Sequence, residues 1–373
     1  MNLTSAITGL PYVGKTTLFN LLTGAHASTG AFAGAEAETN VGVAKVPDPR
    51  VDRLSALFRP KKTTYAEVTY RDLGIAKGAQ KGEGISAKKL GDLRTADALV
   101  HVVRAFADPK VPHPEGGVDP LRDLATIDLE LLLADHAVVE RRLERIEPEL
   151  RGAKGTEKDA KERERAFLLR AKEALEAERP LRDLDADPDE LRLVRGYRFL
   201  TLMPQLVVLN VDEADVDDPS AALAPIAGAI AAHRATAAVA VCAKIEAEIA
   251  ELPPDEAAAF RQDLGIAEPA LDRVIHATFD LLGLISFFTT GDDEVRAWPV
   301  PRGSTAQQAA GAIHSDLERG FIRAEVIPWE DLLREGSEAA AKQKGLVRTE
   351  GKEYRVRDGE CVHVLFSVGA HRG

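Results

Sequence analysis

The chain has 373 residues, of which 45% are hydrophobic and 29% charged, a composition typical of a globular protein with two or three domains. Its formal net charge of -12 disfavours a surface coated with basic residues, and we expect no DNA partner, although a local basic face could meet RNA. The two cysteines lie far apart in sequence, which favours a reducing cytoplasm over a disulfide framework. We expect neither a membrane span nor a signal peptide.

A phosphate-binding loop is the strongest motif. Residues 9–16, GLPYVGKT, match G-x-x-x-x-G-K-[ST] between a short strand candidate and a segment with helical spacing. In such a loop, backbone N–H groups and the helix N-terminus face phosphate; Lys15 would reach the β- and γ-phosphates, and Thr16 would hold Mg²⁺. The alternative is a chance glycine turn before a helix. The predicted nucleotide-binding residues here are Leu10, Pro11, Tyr12, Val13, Gly14, Lys15, Thr16 and Thr17.

Three later segments supply candidates for the remaining contacts of a nucleotide site. Residues 66–70 alternate like a strand and lead to Asp72, the candidate carboxylate for Mg²⁺. Apolar strand candidates at 206–209 and 238–241 each precede a short loop, and ligands bind at the carboxyl ends of strands in open α/β sheets. The predicted base-side residues in those loops are Asn210, Val211, Glu213, Cys242, Ala243 and Lys244.

Further stretches, at 77–84, 97–104, 118–123, 210–213, 242–248 and 313–325, resemble the YchF family, the Obg-like ATPases of the Obg group of P-loop GTPases. The resemblance covers nearly the whole chain. It implies an α/β fold made of a P-loop GTPase-type G domain, an inserted antiparallel helical arm and a C-terminal TGS domain of β-grasp type. The implied domains are 1–123 and 197–279 for the two parts of the G domain, 124–196 for the arm, 280–368 for the TGS domain and 369–373 for a tail.

The spacing of apolar residues predicts the arm independently. One row runs from Leu124 to Val138 and a second from Val139 to Leu150, as in a long amphipathic helix. Residues 152–155 are a candidate tip, and a charged return helix at 157–178 should end at Pro180. The arm is either a solvated hairpin without a ligand or an element that binds a partner, and the sequence leaves both open.

The C-terminal region has the pattern of a small mixed domain. Residues 285–289, 295–300 and 362–366 are strand-like, and Ser304-Thr305 can cap a short helix through Ile313. Its basic residues either solvate a small sheet or contact RNA. The resemblance to a TGS domain favours contact with RNA or the ribosome. The candidates are Arg296, Arg302, Arg319 and Arg323.

The base-reading loop differs from the Asn-Lys-x-Asp of guanine-specific proteins. Its carboxylate, Glu213, is one methylene longer than the usual Asp, and the Lys that packs on the base is absent. Misaligning a bidentate base contact costs about 1–3 kcal/mol. Asn210 can still orient the loop, while backbone groups near Val211 and in residues 242–244 can meet adenine. We therefore expect ATP to be preferred and GTP tolerated, as the family resemblance also implies.

Three departures from the family pattern bear on hydrolysis. Tyr12 stands where the family usually has Asn, and could pack on the ligand or narrow the pocket. Glu36 stands where a Thr completes the Mg²⁺ shell, and would either ligate Mg²⁺ or repel the γ-phosphate. The Asp-x-Ala-Gly motif is one residue short at 72–74. The N–H of Gly74, which we count with Lys15 as catalytic, could then miss the γ-phosphate.

Slow hydrolysis is expected because the sequence offers no evident general base. His101 lies in a strand predicted to be buried, so Lys15, Mg²⁺ and backbone donors would stabilise the developing charge. The sequence predicts a slow ATPase that acts as a nucleotide-dependent switch on the ribosome or translation machinery through the arm and TGS domain. The alternative is a nucleotide-binding scaffold with little or no hydrolysis that binds RNA or the ribosome. A metabolic kinase is disfavoured because no acceptor site is found.

Overall fold

The computed structural model describes residues 3–27, 39–73, 85–266 and 268–367. The chain divides into two compact units, one of Thr4–Gly42 with Thr69–Leu281 and one of Met1–Leu3 with Val43–Val68 and Leu282–Gly373. The predicted boundaries placed 43–68 in the first part of the G domain. Here those residues group with the C-terminal ones, because a short strand within them extends the C-terminal sheet.

The strands, numbered along the chain, are β1 Thr4–Thr8, β2 Asn40–Lys45, β3 Lys62–Thr64, β4 Glu67–Asp72, β5 Ala98–Ala105, β6 Gln205–Val211, β7 Thr236–Val241, β8 Leu284–Thr289, β9 Glu294–Pro301, β10 Phe321–Pro328, β11 Arg348–Glu350 and β12 Glu360–Phe366. The α-helices are α1 Lys15–Thr23, α2 Pro49–Phe58, α3 Ala87–Leu93, α4 Pro120–Gly152, α5 Gly155–Glu176, α6 Pro188–Val194, α7 Pro219–Ala222, α8 Ala224–Ala231, α9 Ala243–Ala250, α10 Pro254–Asp263, α11 Ala270–Leu281, α12 Ala306–Ile313, α13 Ser315–Arg319, α14 Trp329–Glu335 and α15 Glu338–Gln343. None of these helices combines the length and apolarity needed to cross a bilayer.

A six-stranded sheet with the order β2-β4-β1-β5-β6-β7 positions the candidate site. Its pairs β1–β4, β1–β5, β5–β6 and β6–β7 are parallel. Every residue of β6 is buried, as expected of a parallel strand covered on both faces. Two predicted strands are longer than the sequence suggested. Asp72 is the last residue of β4, and Asn210 lies inside β6 because it continues the ladder opposite Arg104 and Val241.

The predicted helical hairpin is present. Asp119 caps α4 by accepting a hydrogen bond from the Arg122 N–H at 3.1 Å, and Pro120 occupies the first turn. The return helix α5 ends at Glu176, ahead of Pro180, which we had expected to end it. The hairpin is held by a buried apolar cluster that includes Leu132, Val139, Phe167, Leu168, Ala171, Leu175, Leu181, Val194 and Phe199.

The second unit contains a sheet with the order β11-β10-β12-β8-β9-β3. β8 and β9 form an antiparallel pair, and β12 runs parallel to β8. The predicted helix is α12, and its cap is Thr305, which exchanges hydrogen bonds with Gln308 in a capping box. The guanidinium of Arg50, in the first turn of α2, pairs with Asp358 at 2.6 Å and lies over the Phe288 ring at 5.1 Å. These contacts join residues 43–68 to this unit.

Candidate functional site

The phosphate loop follows β1 and opens α1, and two of its positions require glycine. Gly9 has φ +139°, and a Cβ there would lie 2.3 Å from the Val102 carbonyl oxygen. Gly14 has φ +98°, and a Cβ there would lie 2.5 Å from the Asn210 side-chain nitrogen. Any larger residue would therefore push the loop away from β5 and β6. The glycines of the motif are explained by close packing as well as by the turn.

Tyr12 also adopts a left-handed backbone, with φ +63°. A left-handed backbone costs an L-residue with a large side chain roughly 1–2 kcal/mol, whereas Asn reaches it more readily. The Tyr12 side chain is 46% exposed, so it gains little packing in return. The loop, and not the preference of tyrosine, sets this conformation.

Lys15 is buried at the first turn of α1, with 4% of the residue exposed. Its ammonium donates to the carbonyl oxygens of Gly9 at 3.1 Å and Leu10 at 2.5 Å. Burial lowers the pKa of Lys15 to about 7; the neighbouring Lys89 lowers it further and Asp72 opposes both. Lys89, on α3, is a second cation of this region. The sequence analysis missed it because Lys89 belongs to no phosphate-binding pattern.

Thr16 and Asp72, the two predicted magnesium ligands within the described residues, are in contact. The Thr16 hydroxyl donates to one Asp72 carboxylate oxygen at 2.7 Å. The other oxygen, Oδ1, is buried without a hydrogen-bond partner, and Asp72 as a whole is 1% exposed. A hydroxyl beside a carboxylate with a free oxygen fits Mg²⁺, which takes few protein ligands and completes its shell with phosphate and water. Glu36 and Gly74 lie outside the described residues.

The side chain of Asn210 links the phosphate loop to the start of α9, which follows β7. Its side-chain nitrogen donates to the Val13 carbonyl oxygen at 3.0 Å, and its oxygen accepts from the Ala243 N–H at 3.1 Å. The residue is 7% exposed, so both bonds are protected from water. Asn210 thus orients the two segments against each other, and the predicted residues Val13, Asn210 and Ala243 lie together at one end of the sheet.

The remaining predicted residues surround this centre unequally. The carboxylate of Glu213 pairs with the ammonium of Lys244, and their side chains are 48% and 67% exposed. That pairing raises the pKa of Lys244. Cys242 is buried at the N-terminus of α9, and burial raises the pKa of its thiol. Val211 is 4% exposed within β6. Leu10, Pro11 and Thr17 are half-buried in or beside the phosphate loop.

Arg104, at the carboxyl end of β5, is a second group that the sequence analysis missed. It pairs in register with Asn210, so both side chains point to the same face of the sheet. Its guanidinium lies 4.4 Å from the centre of the Phe106 ring and donates to the Phe106 carbonyl oxygen at 3.0 Å. Nη1 is buried without a partner. The only sequence signal was its place in a family-like stretch, which did not reveal burial.

His101 is a buried structural histidine, as its strand predicted. It is 1% exposed on β5, and its Nδ1 lies 3.3 Å from the Gln205 side-chain nitrogen. Burial lowers the pKa of His101 to about 4, so the ring is neutral at pH 7. The side chain of Gln205 donates in turn to Asp128 of α4 at 2.9 Å. His101 therefore belongs to the packing between the sheet and the arm.

Comparisons with known proteins agree with this architecture. The family model described as "50S ribosome-binding GTPase" matches residues 4–139, and the YchF-GTPase_C model, described as "Protein of unknown function (DUF933)", matches 284–367. A ribosome-binding ATPase YchF of Bacillus subtilis is 47% identical over 371 residues, 99% of this chain and 100% of the relative. One from Escherichia coli O157:H7 is 43% identical over 369 residues, again 99% and 100%.

A solved structure extends the likeness to three dimensions. The YchF GTPase of Schizosaccharomyces pombe superposes with a TM-score of 0.85 at 32% identity and covers 98% of each chain. The resemblance found in the sequence is thus confirmed at the level of the family. The chain belongs to the YchF family and has its α/β P-loop GTPase fold, with a G domain and a C-terminal domain.

Proposed function

We propose that this chain is a slow nucleoside triphosphatase that prefers ATP, tolerates GTP and switches its contact with the ribosome according to the bound nucleotide. The observation that carries the proposal is the contact between Thr16 and Asp72 at 2.7 Å beside the buried Lys15. The names of the Bacillus and Escherichia relatives, ribosome-binding ATPases, support the activity and the partner. A ribosome-bound protein would act in the cytoplasm.

The proposed roles follow from the chemistry of each group. Thr16 and Asp72 would hold Mg²⁺, which neutralises charge on the phosphates when bound. The ammonium of Lys15 and the loop N–H groups would bind the phosphate oxygens. Lys89 adds positive charge nearby, as its effect on the pKa of Lys15 indicates. No general base was evident in the sequence, so we infer slow turnover that relies on charge stabilisation.

At the base side, we infer that adenine is accepted because no Asp is available at the guanine-reading position. Asn210 orients the loop through Val13 and Ala243. The carboxylate of Glu213 is already paired with Lys244. A ligand would therefore meet backbone groups of Val211 and of residues 242–244 more readily than a free carboxylate.

We further infer that two parts bind the partner: the arm, 124–196, which is inserted between the nucleotide-dependent segments 1–123 and 197–279, and the C-terminal domain, 280–368, which follows them. A C-terminal TGS domain of β-grasp type is supported by a parallel β8–β12 pair flanked by antiparallel strands and by the helix α12. Membership in the Obg group is the matching proposal for the G domain. In the C-terminal domain, the candidates for RNA contact are the exposed residues Arg302, Arg319 and Arg323.

The test is to measure nucleotide affinity and turnover with and without ribosomes. Lys15→Ala should weaken ATP binding at least about 100-fold, since it removes charge-assisted hydrogen bonds. Lys154→Ala, an exposed lysine at the tip of the arm, is the matched control and should bind ATP like the unaltered protein. Thr16→Ala should make ATP binding nearly independent of Mg²⁺. Equal ATP affinity for Lys15→Ala and Lys154→Ala would refute the phosphate-loop assignment, and binding without turnover on ribosomes would favour the scaffold.

A further inference from the structure

The helix α4 carries an exposed apolar ridge in addition to the apolar face that it buries. Leu121, Leu129 and Leu133 are 49%, 45% and 57% exposed, and the exposed Ala125 and Ala137 complete the series. Residues four apart lie side by side on a helix, so the five side chains form one ridge of roughly 24 Å, which winds round the helix by about 40° at each step. We call Leu121, Ala125, Leu129, Leu133 and Ala137 the α4 ridge.

The α4 ridge is unusual because α4 already buries another apolar face. That face packs on the sheet and on α5 through Leu124, Ile127, Leu131, Leu132, Val139 and Ile146. A surface helix normally needs one apolar stripe and is polar elsewhere. Three exposed leucines and two alanines in one row at helical spacing exceed the scattered apolar residues found on ordinary surfaces. A second packing surface is the simplest physical account.

The charge at the end of the ridge indicates what packs there. Arg141 and Arg145 continue the same four-residue series and are exposed. Within the described residues, neither has a carboxylate partner, and Arg141 donates only to the Ala137 carbonyl oxygen at 2.9 Å. Nearby Arg142, in contrast, pairs with two glutamates. The row therefore changes from apolar to cationic as it winds along α4, and its complement is apolar with carboxylates at one end.

That pattern favours a protein over RNA. Proteins bind the phosphate backbone through clustered Lys and Arg, whereas acidic residues outnumber basic ones along α4. Leucines contribute nothing to phosphate binding, but they are the side chains that a protein interface buries at its centre. We propose that the α4 ridge docks on a protein component of the ribosome that presents an apolar surface ending in carboxylates opposite Arg141 and Arg145. This inference rests on the proposed ribosome binding.

The test compares exposed leucines on the two helices of the arm. The double variant Leu129→Gln, Leu133→Gln removes the centre of the ridge, and Leu169→Gln on α5, at 45% exposure, is the matched control. Binding to purified ribosomes would be measured by cosedimentation across a range of salt. The double variant should bind at least about tenfold more weakly at every salt concentration, since a few buried anchors supply most of the binding energy of an interface. The control should bind normally.

Two further measurements separate this idea from its rivals. Arg141→Glu with Arg145→Glu should weaken ribosome binding most at low salt, because screening weakens exposed charge contacts. All variants should keep their melting temperature and ATP affinity, since the altered side chains are exposed. Normal ribosome binding by the double leucine variant would overturn the docking site and leave the proposed function standing, whereas no binding by the unaltered protein would remove both.

The remaining outcomes also decide against the proposal. Purified ribosomal RNA could compete as well as whole ribosomes while only the arginine variant loses affinity, which would identify an RNA contact. Light scattering could instead show a dimer that the leucine variant dissociates, and the ridge would then be an interface between copies.

Discussion

At the root of the arm, the carboxylate of Asp135 is completely buried and accepts hydrogen bonds from Arg94, from the N–H groups of Leu200 and Thr201 and from the Thr201 hydroxyl, at 2.7–3.0 Å. On the outer half of the same helix, Arg142 bridges glutamates on α4 and α5 whose side chains are 38% and 13% exposed. Both regions are rich in charge, but only at the root is the carboxylate completely shielded from water. The comparison indicates that burial and the number of hydrogen-bond donors, and not the number of ion pairs, determine how much the loss of one charge destabilises the fold.

The largest expected effect on stability comes from removing Asp135 at the root. Asp135→Ala should lower the free energy of unfolding by about 3–5 kcal/mol, because it leaves buried donors and the Arg94 guanidinium unpaired. Glu140→Ala on the same helix removes an exposed carboxylate that pairs with Lys172, and should change stability little. Urea unfolding of both variants measures this. Similar losses for the two would mean that burial does not distinguish the root from the outer half.

The second expected effect is a pH-dependent change in stability that comes from His101, in the sheet against which α4 packs. The pKa of His101 is about 4 in the folded protein and about 6.5 in an unfolded chain. The unfolded chain therefore binds the proton first on acidification, so stability falls as pH drops from 6.5 toward 4 and is unaffected above 6.5. His101→Gln should remove about 2–3 kcal/mol of the stability lost between pH 7.5 and pH 4.5. Stability curves that stay parallel across this range would contradict the neutral, buried histidine.

The ion pairs of the outer half should contribute less to stability than the contacts of the root, and their contribution should depend on salt. Arg142→Met removes contacts to Glu149 and Glu164, which raise the pKa of Arg142. We expect a loss of about 1 kcal/mol at low salt that shrinks at high salt, because the partner Glu149, at 38% exposure, is open to screening. Lys172→Met, which removes a more exposed partner of Glu140, should have a smaller effect. A loss of several kcal/mol that does not change with salt would mean that Arg142 behaves like a buried charge, as at the root.

The sequence predicted those parts in which neighbouring residues determine the structure. Residues 9–16 prescribe their own turn, and the apolar spacing of α4 and α5 prescribes a hairpin, so both are present. Contacts between distant segments could not be predicted in this way. Asp135 reaches Thr201 across 66 positions, and β3 pairs with β9 across more than 200, which moved 43–68 out of the expected G-domain unit. The same reason explains why Arg104 and Lys89 were not predicted as site residues: a local sequence pattern shows neither the burial of Arg104 nor the proximity of Lys89 to Lys15.

The smallest expected effect tests whether an exposed pair at the base side behaves like the outer arm. Glu213 and Lys244 are both well exposed, so a ligand can separate them at little cost. Glu213→Asp shortens the carboxylate by one methylene and draws it toward the position of the guanine-reading Asp.

The ratio of GTP to ATP affinity should rise by about two- to fivefold, which is at or below the low end of what a full bidentate base contact supplies, because the Lys that packs on guanine is still missing. Lys244→Met is the control, since it breaks the ion pair without moving the carboxylate and should leave the ratio unchanged. Calorimetric titration of both variants with both nucleotides measures it. An unchanged ratio in Glu213→Asp would mean that this carboxylate does not face the base. An equal rise in Lys244→Met would mean that the ion pair, rather than the length of the side chain, controls the choice of base.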